Sequence, residues 1–365
     1  MMINLLDLSK DEDVVLYRNH LVKYEVNEPY YKFEFFTSFS KGTKNLYCLI
    51  FEENDSIGIY PFYMNVIPLE NNGVKYYDIA SPYGYSGPLF VNMSKDQITA
   101  FWILSDNFLA SNNVVSEFVR FSLDSEIELY NGIALATLSN VKGNIVSEEE
   151  LWTNSDHKVR KNVKRALREH LRSEIYIGNE IDNNVLAIFH DIYINTMKRT
   201  NADISFMYTP NDFFDYIRNN IKNSVIITVY DDLKAVSTEL LLISDNTIYS
   251  FLGGTLKESF SKRPNDFLKY VITNWAREQG ISYFVLGGGY GKDDGIFEYK
   301  KAFFPSDIVS YYTGRKVLNS AMYDEVSKVI STLVDKSNVC NEEDILELKE
   351  KDYFPCYSKF YKILS

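Results

Sequence analysis

Cysteine is nearly missing from this chain of 365 residues: only Cys48, Cys340 and Cys356 occur. Three is an odd number, and their positions lack metal-ligand spacing, which excludes a disulfide framework and a zinc site and fits a reduced, cytoplasmic setting. Histidine is almost as scarce. His20, His157, His170 and His190 form neither a His-Glu-x-x-His pattern nor a catalytic triad, so no metal is expected. No segment reaches the ~18 uninterrupted apolar residues of a membrane helix. The amino terminus also carries Asp7, Asp11, Glu12 and Asp13 where a secretory signal would carry bases. These absences predict a soluble protein and leave only a peripheral membrane contact open. Basic charge is in deficit too, with 38 Lys and Arg against 50 Asp and Glu and a net charge of −12. A protein that coats nucleic acid through its overall field is thereby excluded, and any polyanionic partner must be met by a local patch.

What the chain has instead is apolar and aromatic mass, 45% and 15% of residues, with 28 tyrosines and 24 phenylalanines. That is enough for packed cores, and the length accommodates two domains. One order of elements is legible twice. In the first half, strands at 45–53 and 56–67 flank an Asn54-Asp55 turn, and a third strand and a glycine-rich loop follow in 74–90. A helix over 95–110 and a strand, or helix-to-strand return, at 114–121 complete the set. In the second half, strands are expected at 224–230, 235–243 and 247–252, then a helix from Pro264 to Gln279 and a strand at 282–286. A short antiparallel meander followed by a helix and a further strand is the layout of acetyltransferase-type domains. There the strands before and after the helix splay apart and the acyl arm lies in the gap. Gly253 and Gly254 in one strand and Gly287, Gly288 and Gly289 in the other would line it. The expected architecture is α/β (α+β): two tandem acetyltransferase-like domains, residues 1–150 and 151–365, with mixed, largely antiparallel sheets. The second would hold a basic entry helix and a carboxyl-terminal tail that packs back, with a helix near 320–334 and an extended segment at 353–357.

Four segments carry candidate chemistry. Residues 284–305 place five of the 17 glycines and the pair Lys300-Lys301 behind an apolar strand. Bare backbone admits a close neighbour there, and a lysine among aromatics suits a site where negative charge is bound or develops. Phosphate loops do not fit: a Walker pattern would need glycine where Leu286 stands and Ser or Thr at Asp293, and Gly-x-Gly-x-x-Gly from Gly287 fails at Lys292. The segment from Asp156 to Arg172 carries seven Lys and Arg against two acids. As a helix it aligns Lys158, Lys161, Arg165, Arg168 and Arg172, either as a solvated face or as a phosphate contact. In Tyr77-Asp-Ile-Ala-Ser-Pro-Tyr-Gly-Tyr-Ser-Gly-Pro88, Tyr83 and Tyr85 offer rigid stacking faces, unless the run is only a turn-rich loop. Glu239, an acid on an apolar strand, either faces solvent or points into a cleft to bind or deprotonate an amine.

Taken in order, several pieces resemble the FemAB family, the peptidyltransferases that add amino acids from aminoacyl-tRNA to peptidoglycan precursors, and its acetyltransferase-like relatives. They are Asp78 with Ser81–Pro88, Phe118-Val-Arg-Phe121, Arg160-Lys-Asn-Val-Lys-Arg-Ala166, Tyr193 with Thr196-Met-Lys-Arg199, and Ser237-Thr-Glu239. Leu286-Gly-Gly-Gly289 and Asp294 with Tyr299-Lys-Lys-Ala-Phe303 complete the series, which spans roughly residues 45–315. The resemblance implies two acetyltransferase-like domains and aminolysis: an amine attacks an ester or thioester carbonyl while Lys300, or Lys301 in its place, steadies the oxyanion. It further implies that Asp294 and Glu239 place or deprotonate the amine, and that Asp78, Tyr83, Tyr85, Arg199, Gly287, Gly288, Gly289 and Tyr299 contact substrate. Arg160, Lys161, Lys164 and Arg165 would meet the donor or a pyrophosphate. The acceptor would be an amine on a lipid- or nucleotide-linked cell-envelope precursor, for peptidoglycan or a surface polysaccharide. No cofactor would be tightly bound, and the donor is aminoacyl-tRNA or acyl-CoA, so tRNA is an open partner. The alternatives are an acyl-CoA-dependent N-acyltransferase of an amino sugar and a non-catalytic precursor-binding protein of the same fold. Two departures stand out: no sustained heptad pattern marks a coiled-coil insertion, and Phe121-Ser-Leu123 replaces the histidine-proline pair that relatives carry after the arginine.

Overall fold

The structure, a computed structural model, describes residues 2–69, 73–336 and 354–358. In chain order the first third holds β1 (Met2–Asp7), α1 (Asp11–Lys23), α2 (Phe33–Phe39), β2 (Leu46–Glu53), β3 (Ser56–Val66), β4 (Tyr77–Ala80), β5 (Leu89–Val91), α3 (Lys95–Ser111) and β6 (Val114–Arg120). The middle holds β7 (Ile133–Asn144), α4 (Glu148–Asn154), α5 (His157–Arg168), β8 (Arg172–Ile177), α6 (Asn183–Arg199) and α7 (Pro210–Asn219). The last third holds β9 (Ser224–Asp231), β10 (Lys234–Ile243), β11 (Thr247–Thr255), α8 (Pro264–Glu278), β12 (Tyr283–Gly287), α9 (Gly295–Lys301), β13 (Ile308–Val317) and α10 (Ser320–Lys336). No helix among the described residues is long and apolar enough to cross a membrane.

The chain divides into two compact units: unit 1 is residues 1–25, 43–136 and 312–365, and unit 2 is residues 26–42 and 137–311. A single boundary near 150 is therefore not what the fold uses. The segment 26–42 belongs to unit 2 because α2 packs on α7, with Phe35 and Phe39 meeting Tyr216 and Phe251 ring to ring. Residues 137–144 belong there because β7 pairs with β12. The chain beyond 311 returns to unit 1, where Met322, Val326 and Tyr357 share a buried cluster with Ile67 and Val115.

In unit 1, β2, β3 and β4 form an antiparallel meander, α3 crosses over, and β6 lies parallel to β4. Helix α3 starts at a reciprocal capping box between Ser94 and Gln97. It buries Ile98, Phe101, Trp102 and Leu109 against Leu49, Phe51, Tyr60 and Phe62 of the meander. The tail is pinned at Tyr357, whose hydroxyl donates to Asp78 at 3.0 Å in the interior.

In unit 2 the same order recurs. Strands β9, β10 and β11 form the meander, α8 crosses over, and β12 lies parallel to β11. The sheet order is β7-β12-β11-β10-β9-β8. The core beneath α8 gathers Phe267, Leu268, Ile272 and Ala276 of the helix with Val225, Ile227, Leu241 and Ile248 of the sheet. The tandem repeat read from the sequence is thus present in three dimensions, each unit contributing a mixed set of strands. The basic helix is shorter than its charge pattern: α5 ends at Arg168, His170 turns left-handed at φ 57°, and Arg172 opens β8. The Phe354–Ser358 part of the tail is a turn rather than an extended strand, and residue 353 lies outside the described residues.

Candidate active site

The parallel strands of unit 2 diverge. Their ladder runs only from Thr247, Ile248 and Tyr249 to Tyr283, Phe284 and Val285. Beyond it β11 continues to Thr255, while Gly287 turns to pair with Val141 of β7. A cavity of about 420 Å³ opens beside the far half of β11. Its walls come from β10 (Glu239), β11 (Ser250 to Thr255), α6 (Thr196, Arg199), the start of α8 (Asp266, Lys269) and α9 (Tyr299, Lys300).

Lys300 is the pivotal side chain. Helix α9 turns it toward the cavity, and its ammonium donates to the Gly288 carbonyl at 2.6 Å. Burial, reinforced by the nearby Lys269 cation, pushes its pKa down from 10.5 to about 8. Lys301 points elsewhere, to Glu298 at 3.6 Å, so of the lysine pair Lys300 is the one that lines the cavity.

The glycine run positions that carbonyl. Gly287 adopts φ 76°, which a side chain would strain. A Cβ on Gly289 would collide with the Asp294 carboxylate, so only glycine lets the loop close on it. Asp294 in turn caps α9, accepting from the amides of Ile296 and Phe297 and reaching back to those of Tyr290 and Gly291. These backbone donors hold its pKa below the ordinary carboxylate value. A carboxylate held ionised and occupied in this way is a poor proton acceptor. Asp294 therefore builds the loop that carries Lys300's partner.

Glu239 is buried, not solvent-facing, and it too is engaged. Lys269 of α8 sits 2.5 Å from each of its oxygens, and Ser250 joins the group with its hydroxyl. Asp266 is a second buried carboxylate at the cavity, held by the Asn162 amide at 2.9 Å, with its pKa raised by burial. Neither Lys269 nor Asp266 stands out in a linear reading. A signal for Lys269 does exist: Lys269, Ile272 and Ala276 share one helix face, so a cation on that apolar stripe requires an acid, and Glu239 on its apolar strand requires a cation.

Tyr299 lies in the wall with its hydroxyl accepting from Asn265 at 2.8 Å, and Arg199 stacks over Phe260, 5.0 Å from the ring centre. Lys161 and Arg165 line a neighbouring basic hollow of about 550 Å³ with Lys158, Arg168 and Arg263, and Lys164 borders a further one with Leu167. Arg160 is largely committed to the chain itself, donating to the carbonyls of Trp152, Thr153 and Ser155 at the end of α4. Asp78, Tyr83 and Tyr85 belong to unit 1 and do not line the cavity of unit 2. Asp78 accepts there from Ser116 and Tyr357, a buried arrangement that ties the tail to the sheet. Among the described residues no group of His, Cys, Asp and Glu is arranged to hold a metal.

Residues 157–301 match the model of the acetyltransferase (GNAT) domain. This part of the chain is similar to GNAT acetyltransferase domains. The match supports acyl transfer as the activity, and the fold is of the GNAT type, shared with FemX. A crystal structure of FemX superposes with a TM-score of 0.57 at 12% identity, covering 85% of this chain and 98% of FemX. L-PGS from Bacillus licheniformis gives 0.51 at 12%, covering 85% and 92%. A conserved protein of unknown function from Bacteroides thetaiotaomicron gives 0.54 at 12%, covering 86% and 99%. At these identities the likeness concerns the fold. No curated protein matches the sequence.

Proposed function

We propose that this protein transfers an aminoacyl or acyl group from an ester or thioester donor to an amine on a cell-envelope precursor. The observation that carries the reading is Lys300: a cation aimed at the cavity where the parallel strands part, anchored by one backbone carbonyl. In the reaction the amine nitrogen attacks the acyl carbon and the carbonyl π pair moves onto oxygen. Lys300 stabilises that oxyanion, which then collapses to the amide as the bond to the donor's oxygen or sulfur breaks. The leaving group takes up a proton, and the new amide nitrogen releases one. A preorganised donor of this kind is worth about 10²–10³ in kcat.

The shared fold with FemX and L-PGS supports an envelope acceptor, and the basic hollow of Lys161, Arg165 and Arg263 supports a phosphate-bearing donor, either aminoacyl-tRNA or acyl-CoA. The deciding experiment offers the purified protein labelled aminoacyl-tRNA, with and without ribonuclease, and acyl-CoA in parallel. Amide formation on an amine-bearing precursor is read by mass. Transfer from one donor, lost in Lys300→Ala, supports the proposal; tight precursor binding with no transfer from either donor favours a non-catalytic binding protein.

A further inference from the structure

The buried pair Lys269–Glu239 has no role in the chemistry described above, and stability does not explain it. Both side chains are at most 8% exposed, and removing two ions from water costs several kcal/mol each before their attraction repays it. Apolar residues of similar volume commonly serve a core as well or better. Yet the pair stands in the wall of the cavity that Lys300 also lines, where a fixed charge acts on the reacting groups. Its geometry is tightly defined. Lys269 reaches both Glu239 oxygens at 2.5 Å and the Ser250 hydroxyl at 2.9 Å, over the Phe284 ring at 5.7 Å. Three elements, β10, β11 and α8, converge to hold one ammonium in one place.

We propose that Lys269 and Glu239 form a positioning pair for Lys300: Glu239 and Ser250 fix the Lys269 cation at the cavity wall, and that cation governs how readily Lys300 keeps its own charge. The proposal builds on the acyl-transfer reading, since it assigns a purpose to control of Lys300. The charged and titratable groups around Lys300 are few. Lys269 and Asp266 come from α8, Glu239 from β10, Arg199 from α6, Arg263 from the turn before α8, and Asp294 and Tyr299 from α9 and its cap. Of these, Lys269 opposes the Lys300 charge most, with Glu239 and Asp294 acting in the other direction. The pair thus places a like charge beside Lys300 and partly offsets it with the counter-ion that holds that charge in position.

The test needs no substrate. In the full chain, the rate at which Lys300 reacts with acetic anhydride is followed against pH by peptide mass spectrometry, since only the neutral amine reacts. The quantity read is the Lys300 midpoint. Lys269→Met removes the cation and should raise it. A midpoint displaced by one pH unit changes the modification rate tenfold at fixed pH below the midpoint, and displacements on the order of one pH unit are expected for neighbouring charges. The double variant Glu239→Gln/Lys269→Met leaves no buried charge unpaired, so it remains interpretable if a single variant fails to fold, and its midpoint should lie above wild type. Equal midpoints in wild type and the folded variants, with only thermal stability altered, would overturn the proposal and leave the pair a structural one. Because the Lys300 titration is read without any donor, an absence of acyl transfer counts against the proposed activity alone and leaves this result standing.

Discussion

The Lys300 ammonium and the Gly288 carbonyl lie 2.6 Å apart, so the cation of the cavity is held by the backbone just past the end of β12. Gly288 can serve because its neighbours hold the loop: Gly287 turns left-handed, and Gly289 lets Asp294 come close enough to gather four amides.

That arrangement separates two roles for Asp294. Asp294→Asn keeps an acceptor oxygen at the cap and should retain most of the activity. Asp294→Ala should lower the thermal midpoint, as lost caps commonly do, and reduce activity by loosening the Gly288 carbonyl. An acid–base role predicts instead that both variants are equally inactive, and steady-state kinetics with thermal melts decides between them.

The pH dependence follows from Lys300. Its pKa is lowered to about 8, chiefly by burial, so transfer that depends on the ammonium should fall as pH rises through about 8 instead of persisting toward 10.5. Deprotonation of the acceptor amine supplies the rising limb on the acidic side. For stability the direction is opposite: a depressed lysine favours the folded state most above the unfolded pKa, and this contribution is lost as pH falls through about 8. A kcat/KM profile from pH 6 to 10 checks the first statement, and melts across the same range check the second.

The basic hollow predicts a donor effect. Lys161→Glu with Arg165→Glu should raise the KM for a phosphate-bearing donor and leave the thermal midpoint nearly unchanged, because both side chains sit on the open face of α5. If the donor is tRNA, wild-type binding weakens steeply with salt, and each lost phosphate contact should reduce that slope by about 1.

In unit 1, Tyr357→Phe leaves Asp78 without its 3.0 Å tail donor in the interior. The expected cost is about 1–3 kcal/mol, with Ser116 still bonded to the carboxylate. Chemical denaturation measures it.

The repeat was legible because hydrophobic periodicity and turn residues are local: Asn54-Asp55, Asp231-Asp232, Pro264 and Gly280 punctuate both halves. Lys300 was legible for a similar reason, standing among aromatics next to a glycine run. What a linear reading leaves open depends on partners far along the chain. Glu239 finds Lys269 30 residues on. Asp78 meets Tyr357 279 residues away, which gives that aspartate a structural tie in unit 1. Asp294 looked like an acid for catalysis because the four amides that occupy it are backbone groups, which leave no trace in residue identity.

The most direct test of the account is acyl transfer by Lys300→Ala and Lys301→Ala, measured beside wild type with the donor that wild type accepts. Lys300→Ala should lose on the order of 10²–10³ in kcat with an unchanged fold, while Lys301→Ala stays close to wild type. Undiminished transfer by Lys300→Ala, or a larger loss in Lys301→Ala, would contradict it.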